Sequence, residues 1–305
     1  MSFSSDTKQE ICKRLSTRAA LQYSELYAML IFGREFSSRS IVFKTENENM
    51  FSHFVFLINK LFKVKCEVEA PMRGETGRNR SFTVSVASPE KCKRIFERYG
   101  HDEREINLRV NRANIDDEDE QQAFIRGAFL ACGSVTDPEK GYHLEFAVSH
   151  RNLCMDLTRI IREIQDCDIS VKMLERSGSY IAYIKDSEQI TDLLTYMGAV
   201  NAAMNVMGMK ALKEVRNSAN RRANSEIANL QKTASASARQ IRAIKKLKND
   251  GSYNLLPDEL KTVAQLRYDY PELTLRELGE KLDPPISRSG VNHRLEKIIR
   301  LAEED

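Results

Sequence analysis

The first two hundred residues contain one plan written twice, and that duplication limits the fold more than any other feature. "YSELYAMLIFGREFSSRSIVF" (Tyr23–Phe43) and "FIRGAFLACGSVTDPEKGYHLEF" (Phe124–Phe146) each run from an apolar helix through a closing glycine to a short strand. The glycines are Gly33 and Gly133, and the strands are expected around Ile41–Phe43 and Leu144–Phe146. Next come "ENENMFSHFVFLINKLF" and "HRNLCMDLTRIIREI". Phe54, Ile58 and Leu61, like Leu157, Ile161 and Ile164, recur at three and four residues, which predicts amphipathic helices. "RSFTVSVAS" and "GSYIAYIKD" then alternate as half-buried strands do. They lead into helices that stop at Gly100 and Gly198, where a C-terminal cap is expected. Period-two strands with helices on one face make an α/β unit of about 90–100 residues, repeated once. Small residues along the paired helices (Gly33, Ala128, Ala131, Gly133) permit close backbone approach and a saddle-shaped pseudo-dimer.

With 305 residues, the chain is long enough for two or three cores, and 41% hydrophobic against 30% charged residues argues against disorder. There is no leader-like apolar region and no run of eighteen apolar residues, so neither secretion nor membrane spanning is expected, and a cytoplasmic location is. Six scattered cysteines (12, 66, 92, 132, 154, 167) form no closely spaced pair, which favours buried thiols over zinc. No cofactor, metal or catalytic residue is expected. The net charge of +3 says little, but its distribution says more. Residues 205–248 carry 11 Lys/Arg against 2 Asp/Glu, or +9, while residues 1–204 (28 against 30) and 249–305 (8 against 12) are mildly acidic. A basic stripe between acidic neighbours suits a polyanion.

The expected domains are 1–205, with halves of about 1–105 and 106–205, then a basic helical connector at 206–248, then 249–305. In the connector, Asn217, Asn220 and Asn224 with Arg216, Arg221 and Arg222 form a polar basic patch, Asn217, Asn220, Arg221 and Asn224 lying near one helical face; Lys232 further along is a further candidate contact. Ile227, Leu230, Ala234, Ile241, Ile244 and Leu247 then restore an apolar stripe. Pro257 fits the first turn of a helix whose Val263 and Leu266, flanked by Leu260 and Tyr270, would face a core. Thr274 with Glu277 is a capping box for "LRELGEKL", and Asp283-Pro284-Pro285 forces a turn. Ser287 or Ser289 can cap the last helix, with Val291, Leu295, Ile298 and Ile299 inward. Short helix, turn, longer helix is helix-turn-helix organisation. Arg288, Ser289, Asn292, His293 and Lys297 would then face outward, with Ser287 at the cap and Thr274 and Arg276 on the preceding helix as further contacts. Arg and Asn can read guanine and adenine edges, while Ser, His and Lys more often touch phosphate. The acidic balance of 249–305 is the objection to this reading.

The two helix–glycine segments resemble degenerate LAGLIDADG motifs of homing endonucleases. In that family an acid one residue before each final glycine helps hold divalent metal at the scissile phosphates, since hard cations take oxygen ligands. The matching positions are Phe32 and Cys132, neither of which is a magnesium ligand; Glu35 and Asp137 lie nearby without counterparts. Across the whole chain, "IRGAFLACGSVTDPEKGYHLEF", the connector's Asn220, Arg221, Asn224, Asn229 and Lys232, and "LTLRELGEKLDPPISRSGVNHRLEKI" together resemble the WhiA family. That resemblance implies an α+β fold: a duplicated LAGLIDADG homing-endonuclease-like saddle domain followed by an all-α helix-turn-helix domain. It also implies a non-catalytic, nucleoid-associated protein that binds double-stranded DNA and regulates sporulation or cell division and chromosome segregation, with a sigma factor or RNA polymerase as a further partner. A monomer with internal pseudo-dimer symmetry is expected. The alternatives are a protein-interaction scaffold docking a sigma factor or division protein, and a metal-dependent nuclease, which the missing acid pair disfavours.

Overall fold

The computed structural model describes residues 2–14, 16–70, 81–105, 107–165 and 167–304. The chain forms two compact units, Met1–Lys213 and Glu214–Asp305.

The first unit repeats its architecture as the sequence pattern predicts. After α1 (Phe3–Cys12), the first half runs α2 (Ala19–Ile31), β1 (Glu35–Phe36), β2 (Ile41–Thr45), α3 (Glu48–Phe62), β3 (Glu67–Glu69), β4 (Phe82–Ser85) and α4 (Pro89–Arg98). The second half runs α5 (Glu118–Cys132), β5 (Gly133–Val135), β6 (Leu144–Val148), α6 (Arg151–Arg162), β7 (Lys172–Arg176), β8 (Ser179–Ile184) and α7 (Ser187–Tyr196). Both sheets are antiparallel with the same strand order, β1-β2-β4-β3 and β5-β6-β8-β7. Arg80, at the head of the strand expected there, lies outside the described residues. Side-chain caps start the helices: Asn47 for α3, Asp117 for α5 and Asp186 for α7. Gly100 (φ 74°) and Gly198 (φ 85°) follow α4 and α7 in the left-handed conformation that ends a helix.

The halves join through α2 against α5. Gly127 makes this possible, because a Cβ there would stand 2.2 Å from the Glu25 carbonyl oxygen. Beside that contact lies a buried hydrogen-bonded triad. Glu25 accepts from His53 Nε2 at 2.7 Å and from Arg126 Nη2 at 2.5 Å. Burial pushes the Glu25 carboxyl up, but the His53 hydrogen bond and the Arg126 charge outweigh it and leave it below the usual carboxylate value. The inter-half segment is tied down as well. Arg109 makes a bidentate pair with Asp156 (2.7 and 2.6 Å), and Asn111 donates its N–H to the Tyr27 hydroxyl at 2.7 Å.

The sequence pattern did not reveal α1, which is bonded into both halves. Asn47 donates to Ser5 Oγ at 3.1 Å, Ser4 Oγ accepts from the Val135 N–H at 3.3 Å, and Lys8 Nζ donates to the Leu130 carbonyl at 3.1 Å. Its Glu10 carboxylate accepts the N–H groups of Asn201 and Ala202. These are first-turn amides of α8 (Val200–Asp250), a helix that begins in the first unit and ends in the second.

The second unit is all-α: the rest of α8, then α9 (Asp258–Asp269), α10 (Leu275–Glu280) and α11 (Arg288–Glu304). Its core unites Ile244 and Leu247 of α8 with Leu260, Val263, Ala264, Leu278, Val291, Leu295 and Ile298. The last turns of the expected connector are therefore part of this unit's core. Three expectations need correction here. Pro257 precedes α9 as its N-cap rather than lying in its first turn. In α9 the inward positions are Leu260, Val263, Ala264 and Arg267; Leu266 is only partly buried and Tyr270 is exposed. The 1% exposed Arg267 takes the place an aliphatic residue would fill because it donates to the carbonyls of Leu273 (2.7 Å) and Pro271 (3.3 Å), pinning the α9–α10 loop. Finally, Ile227 and Leu230 are 55% and 71% exposed, so the apolar stripe of α8 is buried at Ile244 and Leu247 but bare further upstream.

Candidate nucleic-acid interface

Every residue singled out for DNA contact falls in the second unit, on α8, α10 or α11 and their caps. The local fold follows from three devices. Thr274 and Glu277 form the expected capping box at α10: the Thr274 hydroxyl accepts the Glu277 N–H at 3.3 Å while the Glu277 carboxylate takes the Thr274 N–H at 2.7 Å. Those hydrogen bonds hold the Glu277 carboxyl below its usual value. Gly279 brings the turn against α10, since a Cβ there would meet the Ile286 carbonyl at 2.3 Å. The Ile286 N–H donates to the Gly279 carbonyl at 3.1 Å. Ser287, rather than Ser289, caps α11, its hydroxyl accepting the Gly290 N–H at 3.2 Å.

Helical geometry then divides α11. Val291, Leu295, Ile298 and Ile299 are buried, and Arg288, Ser289, Asn292, His293 and Lys297 are exposed on the opposite side. A shallow groove runs along that outer side against Leu275, and it adds two residues missed from sequence, Glu296 and Arg300. Their signal was available in the spacing, four and eight residues beyond Asn292. Thr274 has its hydroxyl committed to the cap, whereas Arg276 gives its Nε–H to Glu280 at 3.0 Å and keeps its terminal N–H groups exposed.

The acidic balance of 249–305 also has a structural account. Asp250 accepts the Ser252 N–H, Asp269 holds Gln265, and Glu280, Glu259 and Glu303 pair with Arg276, Arg294 and Arg239. These acids are spent on caps and pairs, while the outer side of α11 carries Arg288, Lys297 and Arg300 against Glu296.

On α8, residues 214–236 are exposed throughout. Asn217, Arg221 and Asn224 share one side, with Asn220 beside them. Lys232 stands eleven residues past Arg221, three helical turns on, and returns to that side. Arg216 lies at its edge. Arg222 projects about 100° away from Arg221 and pairs with Glu226 at 3.6 Å, so it is not part of the strip.

The positions matching the nuclease acids are equally clear. Phe32 is buried and packs edge-on against Phe124 at 5.8 Å. Cys132 donates Sγ–H to the Ala128 carbonyl at 3.3 Å, and burial pushes its thiol up to about 12 despite nearby Lys8. Asp137 serves its own turn, accepting the Glu139 N–H. Among the described residues no group of three His, Cys, Asp or Glu side chains could hold a metal ion. The residues at the helix ends do not fit the divalent metal that the nuclease fold would require.

Comparison with known proteins bears on the same two units. A family model described as the WhiA C-terminal HTH domain matches residues 219–302, and one described as the WhiA LAGLIDADG-like domain matches 121–216. A probable cell division protein WhiA of Clostridium perfringens is 38% identical over all of this chain and 98% of its own length. The chain belongs to the WhiA family. The relative of the same name in Clostridium beijerinckii is 35% identical over the same spans. The full-length DUF199/WhiA structure from Thermatoga maritima aligns over 100% of this chain and 99% of its own, with TM-score 0.60 at 24% identity, which shows a shared fold. WhiA relatives are thus named as cell division proteins, and the fold is a duplicated LAGLIDADG-like saddle followed by an all-α helix-turn-helix domain. No helix among the described residues is long and apolar enough to cross a membrane.

Proposed function

We propose that this WhiA-family chain binds double-stranded DNA without cutting it and acts in cell division or sporulation through that binding. The observation that carries the reading is the outer side of α11. Arg288, Ser289, Asn292, His293 and Lys297 stand clear of the core on a helix whose cap and preceding turn are rigidly held. A helix so presented enters a major groove with its first turns, where Arg288 and Asn292 reach base edges and Ser287, Ser289, His293 and Lys297 reach phosphates. The polar strip of α8 supplies sequence-independent backbone contact. The lack of an acid pair at Phe32 and Cys132 supports binding without hydrolysis.

The test is a selection of preferred duplexes followed by affinity measurements on Arg288→Ala and Asn292→Ala. Each should lose about 1–3 kcal/mol on the preferred site and much less on random duplex. Equal losses on both duplexes would remove the base-reading role.

A second reading, a scaffold for a sigma factor, RNA polymerase or division protein, is favoured by one observation. Val215, Ile227 and Leu230 lie bare on α8, at 69%, 55% and 71% exposure. It requires that ablating 287–298 leave the cellular phenotype intact, whereas DNA reading by α11 requires its loss.

A further inference from the structure

In the first unit, a cavity of about 890 Å³ opens where α1, the turn after α2, β2 and the end of α5 meet. Its lining belongs to the first unit and flanks Cys132 through Ala131 and Gly133. Three cations from three separate elements line it: Lys8 of α1, Arg34 of the turn and Lys44 of β2. Among the described residues Glu46 is the acid in the lining, so their net charge is +2 (three cations less one carboxylate).

These cations are not consumed by the fold. Arg34 and Lys44 are exposed, and neither has a carboxylate within ion-pair distance among the described residues. Lys8 is different, being largely desolvated. Its ammonium donates to one neutral acceptor, the Leu130 carbonyl, and lies 5.8 Å from the Phe129 ring. An ammonium has three donors, so two remain for the cavity. Burial lowers Lys8 toward about 8 while Cys132 and Cys12 oppose that, as expected of a cation held without a counter-charge.

Hydroxyl donors complete the lining. Ser4 and Ser5 use their oxygens as acceptors, from the Val135 N–H and the Asn47 amide, which leaves both O–H groups to donate. The same bonds fix α1 to both halves, so the cavity is formed before any ligand arrives. Cations and hydroxyls converging on a preformed hollow of this size match a multiply charged anion on a compact molecule, in which charge-assisted hydrogen bonds supply most of the affinity.

We propose that this cavity binds a compact phosphorylated molecule of nucleotide size, with its phosphate group held by Lys8, Arg34 and Lys44. A duplex backbone offers the same phosphate chemistry, and the experiment separates the two sources. Full-length protein is titrated calorimetrically with inorganic pyrophosphate in chloride buffer, alongside the double variant Arg34→Ala/Lys44→Ala and the helix-turn-helix variant Arg288→Ala. Both cavity substitutions are at exposed positions, and an unchanged melting temperature confirms the fold.

Wild type and Arg288→Ala should bind pyrophosphate alike, and the double variant should bind at least about tenfold more weakly without its two charge-assisted hydrogen-bond donors. A short duplex should not displace the pyrophosphate. The proposal is overturned if wild type gives no binding at millimolar pyrophosphate, or if the double variant binds as tightly as wild type. It is also overturned if duplex displaces pyrophosphate and loses affinity in the double variant in proportion, because the site would then belong to the DNA backbone.

Discussion

Arg221 and Arg222 are neighbours in sequence, yet the proposed DNA binding gives them different roles. At 3.6 residues per turn they diverge by about 100°. Arg221 shares its side of α8 with Asn217, Asn224 and Lys232, while Arg222 turns away to Glu226 at 3.6 Å. A helix with its side chains is about 10 Å across, comparable to the screening length of about 8 Å at physiological salt. A charge turned about 100° off the strip and already paired with Glu226 therefore contributes less to counterion release than one on it. Each phosphate that a substitution leaves without its cation should lower the slope of log K against log salt by about 0.9. Arg221→Ala/Lys232→Ala should thus flatten it by about 1.8, and Arg222→Ala should leave it nearly unchanged. Between about 50 and 200 mM salt, a change of 1.8 alters the ratio of affinities by roughly tenfold, well within the reach of fluorescence anisotropy on a labelled duplex. The reasoning is refuted if Arg222→Ala flattens the slope as much as Arg221→Ala does, or if the double variant keeps the wild-type slope.

Gly279→Ala should destabilise the second unit by about 1–3 kcal/mol, because the new methyl must displace the Ile286 carbonyl that it would meet at 2.3 Å; urea denaturation reads the loss, and preferred-site affinity should fall with it. The depressed Glu25 carboxyl contributes stability that is present above the unfolded value near about 4.3 and lost as pH falls through its lower folded value. Glu25→Gln should flatten that acid limb and cost about 3 kcal/mol at neutral pH by leaving Arg126 buried without its counter-charge; a stability series from neutral to acid pH checks both. With Cys12 and Cys132 both pushed up to about 12, the thiolate fraction at pH 8 is about one in ten thousand, so a disulfide reagent should modify them slowly in the native protein and quickly in urea.

The repeat was legible because burial on one face imposes a period that each half must obey separately. Phe54 and Ile58 in one half and Leu157 and Ile161 in the other keep that period, and the structure buries all four. Caps were legible for a similar reason: Thr274 with Glu277, Gly100 and Gly198 are local solutions to local backbone demands. What escaped were residues whose role depends on distant partners. Arg267 gave no sign of burial by its residue type, but the carbonyls of Pro271 and Leu273 draw it inside. Lys8 and Glu10 gave no signal at all, because their acceptors and donors lie more than a hundred residues away at Leu130 and Asn201. Ile227 and Leu230 had the right period for burial, but no element of the second unit packs there to cover them.

The acid positions show how a fold can outlive a chemistry. A metal centre at the end of paired helices needs carboxylates at the place where the two halves meet. In this chain that place is held by packing: Phe32 rests on Phe124, and Cys132 is hydrogen-bonded into its own helix. Glu25, with Arg126 across the interface and His53 beside it, is buried and hydrogen-bonded within that group, so these side chains join the halves and are closed to solvent and ligand alike. Once the interface is secured by Gly127 and that triad, the helix ends no longer need acids for stability. Substituting them with an aromatic ring and a thiol then improves burial, because two ionised carboxylates beside each other would require a cation to be tolerated. The saddle is therefore held together without acids at its helix ends, as the proposed binding without hydrolysis requires.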